Sequence, residues 1–208
     1  MIRVVLASKS PARLLALRGA GLTPDVIVSG FDETTIVDSS PTRLCTRLAE
    51  AKGSLVASSL PDDDVVVLAA DTVMEIEGKA HGKPRNPESA TRLWHRMRGH
   101  GAVIHTGHWV CVRRGGVEQQ QSRVRSTGVH FADLSDDEVA AYVATGEPID
   151  RAGGFSINGL AGAFVTRIDG DPYNVVGISL PLVRQMVIDL GVPWHELWQP
   201  ELPGTILP

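Results

Sequence analysis

The turn LASKSPAR, residues 6–13, carries the densest group of chemically useful side chains in the chain. Ser8, Lys9 and Arg13 bring hydroxyl, ammonium and guanidinium donors together between an apolar run and a proline. Pro11 suits the first turn of a helix, because its missing N–H would have no partner there. A helix N-terminus offers free N–H groups and the positive end of the helix dipole, which attract anions. The turn therefore predicts a phosphate-binding site; the alternative is an ordinary capped helix.

An aspartate within the most apolar stretch of the chain is a second candidate. Asp71 directly follows VVVLAA, residues 65–70, and precedes Thr72. An ionised carboxylate on a buried strand is costly unless it is paired or binds a metal. If the strand ends at Asp71, the carboxylate lies at the edge where open α/β sheets bind ligands. The alternative is that Asp71 caps a turn.

Three other charged residues have a weaker individual signal. Glu33 lies in the loop FDE, Lys52 lies late in a long amphipathic helix, and Lys83 lies in the glycine-rich turn GKAHGKP. Carboxylates in loops and lysines on helices are most often solvated surface charges. The glycine-rich turn is not a Walker A loop, because its glycine spacing is short and a proline follows the lysine. A lysine there can still reach a phosphate as a point charge.

Composition limits the class of protein. The 208 residues are 43% apolar and carry a net charge of -4, which argues against a general nucleic-acid surface. The two cysteines, Cys45 and Cys111, form neither a disulfide framework nor a metal cluster. The opening MIRVVLASKS has too short an apolar run for a signal peptide, and no later run approaches a membrane span. We therefore expect a cytoplasmic protein without nucleic-acid or membrane partners.

The elements that must position these residues follow from apolar periodicity and from cap and turn residues. Strands are predicted at 2–7, 25–30, 62–76 and 162–171, with a further pair within 103–131 that turns at RRGGVE. Helices are predicted from residue 11 to the glycines at 19 and 21, and at 41–60, 86–97, 135–146 and 181–192. The segments FDETTI and GKAHGKP are expected as loops, and the proline-rich tail from residue 193 as irregular. This order predicts a mixed α/β sheet covered by helices.

Taken together, seven blocks in order resemble the Maf-like nucleotide pyrophosphatases, the family named for septum formation. The blocks are LASKSPARLLAL, SGFDE, LAEAKG, AADTV, GKAHGKP, YVATGEPIDRAGGFSINGLAG and IDGDPYNVVGISL. The resemblance implies hydrolysis of nucleoside triphosphates to monophosphate and pyrophosphate, with Mg²⁺ or Mn²⁺ as cofactor. It also implies a single α/β domain over 1–208: a mixed twisted sheet flanked by helices, with two lobes and a central cleft, as in inosine triphosphatases. A homodimer is expected.

The resemblance also implies roles for individual residues. Ser8 and Arg13 match positions that contact the phosphates. The catalytic and metal-site positions are matched by Glu33, Lys52, Asp71 and Lys83. Asp71 matches the proton acceptor, and the carboxylates of Glu33 and Asp71 are the expected metal ligands, because Mg²⁺ and Mn²⁺ prefer oxygen.

Three positions bear on substrate choice in the family, and they are occupied here by Ala12, Thr72 and Asn158. Relatives that prefer thymidine and uridine triphosphates have arginine and glutamine where this chain has Ala12 and Asn158. The resemblance therefore predicts removal of non-standard nucleotides with a broader or shifted base profile. Two alternatives are a nucleotide-binding regulator of septation without turnover, and an inosine or xanthosine triphosphate hydrolase of the related fold.

Overall fold

A seven-stranded mixed sheet forms the centre of the protein, seen in a computed structural model that describes residues 2–61 and 63–199. Its strands are β1 (Arg3–Leu6), β2 (Asp25–Val26), β3 (Val65–Ile76), β4 (Lys79–His81), β5 (Gly101–Arg114), β6 (Val117–Phe131) and β7 (Val165–Asp169). The order across the sheet is β2-β1-β3-β5-β6-β7, and β4 pairs with β3. β1 runs parallel to β2 and β3, whereas all other pairs are antiparallel. The predicted mixed α/β fold is confirmed.

Within the described residues, six helices flank this sheet. They are α1 (Pro11–Gly19), α2 (Pro41–Ser59), α3 (Pro87–Met97), α4 (Asp136–Ala144), α5 (Pro172–Val176) and α6 (Leu180–Asp189). Ser10 caps α1 by accepting the backbone N–H of Arg13, as the sequence predicts. At α4 the side chains of Ser135 and Glu138 form the predicted capping box. No helix within the described ranges is long and apolar enough to cross a membrane.

Several predicted boundaries are wrong. The strand expected at 25–30 pairs only over Asp25–Val26, because it lies at the sheet edge and its one neighbour, β1, ends opposite Val26. The strand expected at 162–171 begins at Val165, since the residues before it form a 3-10 turn. Within the two segments expected as loops, Glu33–Thr35 forms another 3-10 turn and part of GKAHGKP forms β4.

Two further differences lie late in the chain. The short helix α5 was not predicted; Asp171 caps it by accepting the backbone N–H of Tyr173. In the tail expected as irregular, Trp194–Leu197 forms a 3-10 turn, and the part from residue 200 lies outside the described residues.

Two of the three apolar clusters lie toward opposite ends of β3, and the third packs between α2 and the sheet and includes Ala69 and Trp109. At one end, Leu6 and Leu68 pack in a cluster with residues of α1 and α6. At the other end, Met74 and Trp94 pack in a cluster with residues of α3 and α4. β3 passes from the first cluster to the second, so that residues 69–73 lie between them. We call this part of β3, with the paired residues of β5, the waist.

The sheet has an open edge at the waist. β1 pairs with β3 only as far as Leu68, and β4 pairs with β3 only from Met74 onward. Within the described chain, β3 residues 69–73 therefore have a strand neighbour on the β5 side alone. We call this opening the β3 gap.

Helix α2 packs closely against one face of the sheet at the waist because two glycines leave room for it. A Cβ atom on Gly107 of β5 would overlap the backbone of Cys45 and Thr46 in α2. A Cβ atom on Gly53 of α2 would overlap the ring of Trp109. These two contacts set the height of α2 above β3 and β5.

Candidate active site

The turn between β1 and α1 borders the β3 gap. Ser8 is buried directly after β1, and its Oγ accepts the backbone N–H of Ser10 at 3.2 Å. The hydroxyl of Ser10 in turn caps α1 at the backbone N–H of Arg13, at 3.4 Å. Lys9 between them is exposed. The turn therefore presents the N-terminus of α1, which attracts anions, beside the gap.

Arg13 is fixed by three acceptors from three parts of the chain. Its Nε donates to the carbonyl of Gly177 at 2.7 Å, its Nη1 to Ser8 Oγ at 3.0 Å, and its Nη2 to Thr72 Oγ1 at 3.1 Å. A guanidinium has five N–H donors, so one on each terminal nitrogen has no partner among the described residues. Such a pair of donors suits the oxygens of a phosphate.

Lys52 joins two carboxylates at the gap. Its Nζ lies 2.5 Å from Asp71 Oδ1 and 2.6 Å from Glu33 Oε1. Asp71 is only 8% exposed, so the ammonium group compensates a charge that would otherwise be costly to bury. Residues 52 and 71 meet because α2 packs across β3, and Glu33 reaches them from its 3-10 turn.

The two carboxylates have different electrostatic surroundings. Burial raises the pKa of Asp71, which Lys52 and Arg13 oppose only in part. Burial also acts to raise the pKa of Glu33, but the hydrogen bond and charge of Lys52, with help from Lys83 and Lys9, leave it lowered. Two neighbouring carboxyl groups with opposite pKa shifts are typical of a site that divides proton transfer from charge binding.

The strand predicted at 62–76 ends at Ile76 as expected, so the condition that it ends at Asp71 is not met, and the alternative that Asp71 caps a turn is wrong. β3 continues to Ile76, and Asp71 pairs with Gly107 of β5 in mid-strand. The edge at which Asp71 lies is created by the end of β1, which is the parallel neighbour. Open α/β sheets bind ligands beyond the carboxyl ends of their parallel strands. Because the carboxyl end of β1 lies beside β3 just before Asp71, Asp71 is still placed at a ligand site.

Comparisons with known proteins assign the chain to a family. A family model described as Maf-like protein matches residues 3–190. The chain belongs to the Maf-like family. A relative from Cutibacterium acnes, named nucleoside triphosphate pyrophosphatase, is 49% identical over 199 residues, or 93% of each chain.

Two further relatives of the same name support the assignment to the Maf-like family. One, from Salinispora tropica, is 46% identical over 95% of this chain and 88% of its own. The other, from Streptomyces coelicolor, is 46% identical over 95% of both chains. The chain thus aligns with these Maf-like relatives over nearly its full length.

The other predicted site residues of this Maf-like chain lie less close to the centre. Lys83 is exposed after β4 and acts electrostatically on Glu33. Ala12 is half-buried on the first turn of α1, next to Arg13. Asn158 is exposed in the loop before the 3-10 turn Leu160–Phe164. No hydrogen bond joins Asn158 to Lys52, Asp71 or Glu33 within the part of the chain described here.

Sequence reasoning did not identify three residues that support Arg13. Gly177 supplies a carbonyl acceptor, and Thr106 and Asn174 lie behind Thr72, fully buried. Two of them, Asn174 and Gly177, belong to the block IDGDPYNVVGISL, which contributed to the Maf-like resemblance without a role for any single residue. The signal available in the sequence was an asparagine that stands directly before two valines.

The donor set at the gap fits a divalent cation. Oxygens of Glu33 and Asp71 both contact the single nitrogen of Lys52, so the two carboxylates already converge on one cation. The described residues contain no group of three or more His, Cys, Asp or Glu side chains that could hold a metal by themselves. Mg²⁺ is commonly held by one or two carboxylates together with substrate phosphates and water, which matches this pair.

Proposed function

We propose that the chain hydrolyses nucleoside triphosphates to nucleoside monophosphate and pyrophosphate. The observation that carries this proposal is the meeting, in one gap of the sheet, of an anchored arginine and a lysine-bridged carboxylate pair. Arg13 presents two unused N–H donors, and its charge acts on the carboxylate of Asp71. The names of the Maf-like relatives support the same activity.

Binding of the triphosphate falls to the β1–α1 turn. Ser8, Arg13 and the N-terminus of α1 would contact phosphate oxygens, and Lys83 would add charge from the other side of the gap. Because Arg13 is held in place before substrate arrives, its charge needs little reorganisation during the reaction. Ser8 and Arg13 therefore orient the chain of phosphates relative to Asp71.

Asp71 is the proposed proton acceptor. A water molecule attacks the α-phosphorus, a new P–O bond forms, and the bond from phosphorus to the α,β-bridging oxygen breaks with pyrophosphate as leaving group. Asp71 takes the proton of the attacking water, a role that its raised pKa favours. Lys52, Lys83 and Arg13 stabilise the negative charge that develops on the leaving group.

Glu33 and Asp71 are the residues that would hold Mg²⁺ or Mn²⁺. A bound divalent cation supplies charge neutralisation at the phosphate oxygens. We also propose a cytoplasmic location, a homodimer, and non-standard nucleotides as substrates. The rival reading, a regulator of septation that binds nucleotides without turnover, differs from this proposal in one measurable property, which is product formation.

Purified protein is expected to release pyrophosphate from nucleoside triphosphates in a metal-dependent reaction. Chelation with EDTA should abolish turnover, and added Mg²⁺ or Mn²⁺ should restore it. The reason is that Glu33 and Asp71 supply only two carboxylate ligands, so the cation would be held by them together with the phosphates of the substrate. Pyrophosphate and orthophosphate are measured separately in one time course. Orthophosphate as the first product would contradict the proposed reaction, and tight binding without product would support the regulator.

Base selectivity is expected to be broader than a strict preference for thymidine and uridine triphosphates. Ala12 has no guanidinium donors, and the amide of Asn158 reaches about 1.5 Å less far than that of glutamine, one carbon–carbon bond. A site discriminates strongly only where it forms hydrogen bonds to the base. The measurement is kcat/KM across common and modified triphosphates, for the unmodified protein and for the Ala12→Arg, Asn158→Gln double variant. A strong pyrimidine preference that the double variant leaves unchanged would show that other residues set selectivity.

A further inference from the structure

A row of hydroxyl groups leads from Arg13 into the buried waist. Thr72 Oγ1, which accepts from Arg13, lies 3.0 Å from Thr106 Oγ1 on the next strand. The hydroxyl of Thr106 donates to the backbone carbonyl of Asn174 in α5, at 3.1 Å. Thr106 and Asn174 are 0% exposed, so this row ends in the interior of the protein rather than in solvent.

The direction of each hydrogen bond in the row is determined. The guanidinium of Arg13 only donates, and the single proton of the Thr106 hydroxyl is used on the Asn174 carbonyl. Thr72 must therefore donate to Thr106. All three bonds point from Arg13 toward Asn174, and bonds aligned in this way polarise and strengthen one another.

The side chain of Asn174 fixes the far end of this row. Its Nδ2 donates to the carbonyl of Ile104 at 3.0 Å and to Thr127 Oγ1 at 3.1 Å. These two bonds attach α5 to β5 and β6 at the level of the waist. α5 ends at Gly177, whose carbonyl accepts from Arg13 Nε at 2.7 Å. Asn174 therefore locates two of the three acceptors that hold Arg13.

We propose that Thr106 and Asn174 are positioning residues that set the guanidinium of Arg13 for the triphosphate. Neither residue touches the substrate; both act through Arg13, by way of Thr72 and of the end of α5. The proposal rests on the proposed function for its ligand, a nucleoside triphosphate. The proposal adds two buried residues that support Arg13 to a site in which other residues contact the substrate.

The test compares two substitutions at Thr106. Thr106→Val keeps the shape of the side chain and removes the hydroxyl, whereas Thr106→Ser keeps the hydroxyl. We expect Thr106→Val to lower kcat/KM by about 10- to 100-fold, the scale of a small displacement of a binding group. Thr106→Ser should stay within about threefold of the unmodified protein. In an Arg13→Ala background, Thr106→Val should cause no further loss, because its effect passes through Arg13.

A matched control separates positioning from general loss of stability. Gln121 also uses a side-chain amide to hold a helix, since its Nε2 donates to the carbonyl of Met186 in α6 at 2.7 Å. Gln121→Met should change thermal stability without changing kcat/KM. Should Thr106→Val fail to fold, Asn174→Ser is measured in the same two backgrounds and is expected to show the same dependence on Arg13.

The dissociation constant of a non-hydrolysable α,β-methylene triphosphate is measured for every variant. If the unmodified protein binds this analogue but releases no pyrophosphate, the proposed function fails, while the loss of affinity in Thr106→Val still tests the positioning role. The positioning role is overturned if kcat/KM and affinity of Thr106→Val stay within twofold of the unmodified protein, or if Thr106→Ser loses as much as Thr106→Val. It is also overturned if Thr106→Val causes an equally large loss in the Arg13→Ala background. Failure of the unmodified protein to bind the analogue overturns it as well.

Discussion

Asp71→Asn is expected to lower kcat by about 100-fold or more while the protein remains folded, which is the scale of lost acid–base catalysis. Asparagine preserves the size and polarity of the side chain, but it neither accepts a proton well nor binds a divalent cation strongly. Lys52 keeps its contact with Glu33, so the ammonium group is not left without a carboxylate. Initial rates of pyrophosphate release, with melting temperatures measured alongside, check this result.

The pH dependence gives a second readout of the same substitution. A proton acceptor works only when it is deprotonated, so kcat/KM should fall as pH drops through the pKa of Asp71. Burial raises the pKa of Asp71 in the metal-free site, and a cation bound to Asp71 would oppose that rise, so the test is that the acid limb disappears in Asp71→Asn. Asp189→Asn, which breaks an ion pair with Arg123 on another face, is the matched control and should leave the rate and the limb unchanged. Near-normal turnover in Asp71→Asn would mean that Asp71 is structural.

Gly107→Ala is expected to lower both stability and activity although Gly107 contacts no substrate. The added Cβ would overlap the backbone of Cys45 and Thr46, which cannot rotate away as a side chain could. α2 must then move off the sheet, at a cost of about 1–3 kcal/mol in the free energy of unfolding. Because Lys52 moves with α2, kcat should also fall by about tenfold or more. Urea unfolding and steady-state kinetics measure the two effects.

Gly19→Ala is the control for this prediction. Gly19 ends α1, and a Cβ atom there would meet no atom within 4 Å. The same chemical change should therefore leave stability and kcat close to those of the unmodified protein. Equal stability of the two variants would show that α2 does not pack against β5 as closely as the structure has it.

Local rules predicted much of the fold and part of the site. Ser10 and Pro11 define the start of α1 by themselves, and the capping box at Ser135 does the same for α4, because these signals involve residues a few positions apart. Asp71 could be identified because one carboxylate interrupts a run of buried apolar residues. Such a break in a consistent pattern often marks function.

Contacts between distant segments could not be predicted in this way. Nothing in the neighbourhood of Lys52 distinguishes it from a surface lysine; its contact with Asp71 exists because α2 crosses β3 at a height set by glycines. The length of β2 depends on where β1 ends, and not on its own residues. Thr106 acquires its role only from Asn174, which is 68 residues away in sequence.

The strand order also implies a sequence of events in folding. β5 and β6 pair from Arg114 with Val117 onward, so their hairpin grows from neighbours in the chain. β1 must instead bring Arg3 beside Val65, across a loop that contains α1 and α2. Closing a long loop costs more entropy than closing a short one, and long-range pairing is correspondingly slow. We therefore expect the β1–α1 turn to come to face Asp71 only after this long-range pairing, so that the proposed site is assembled late in folding.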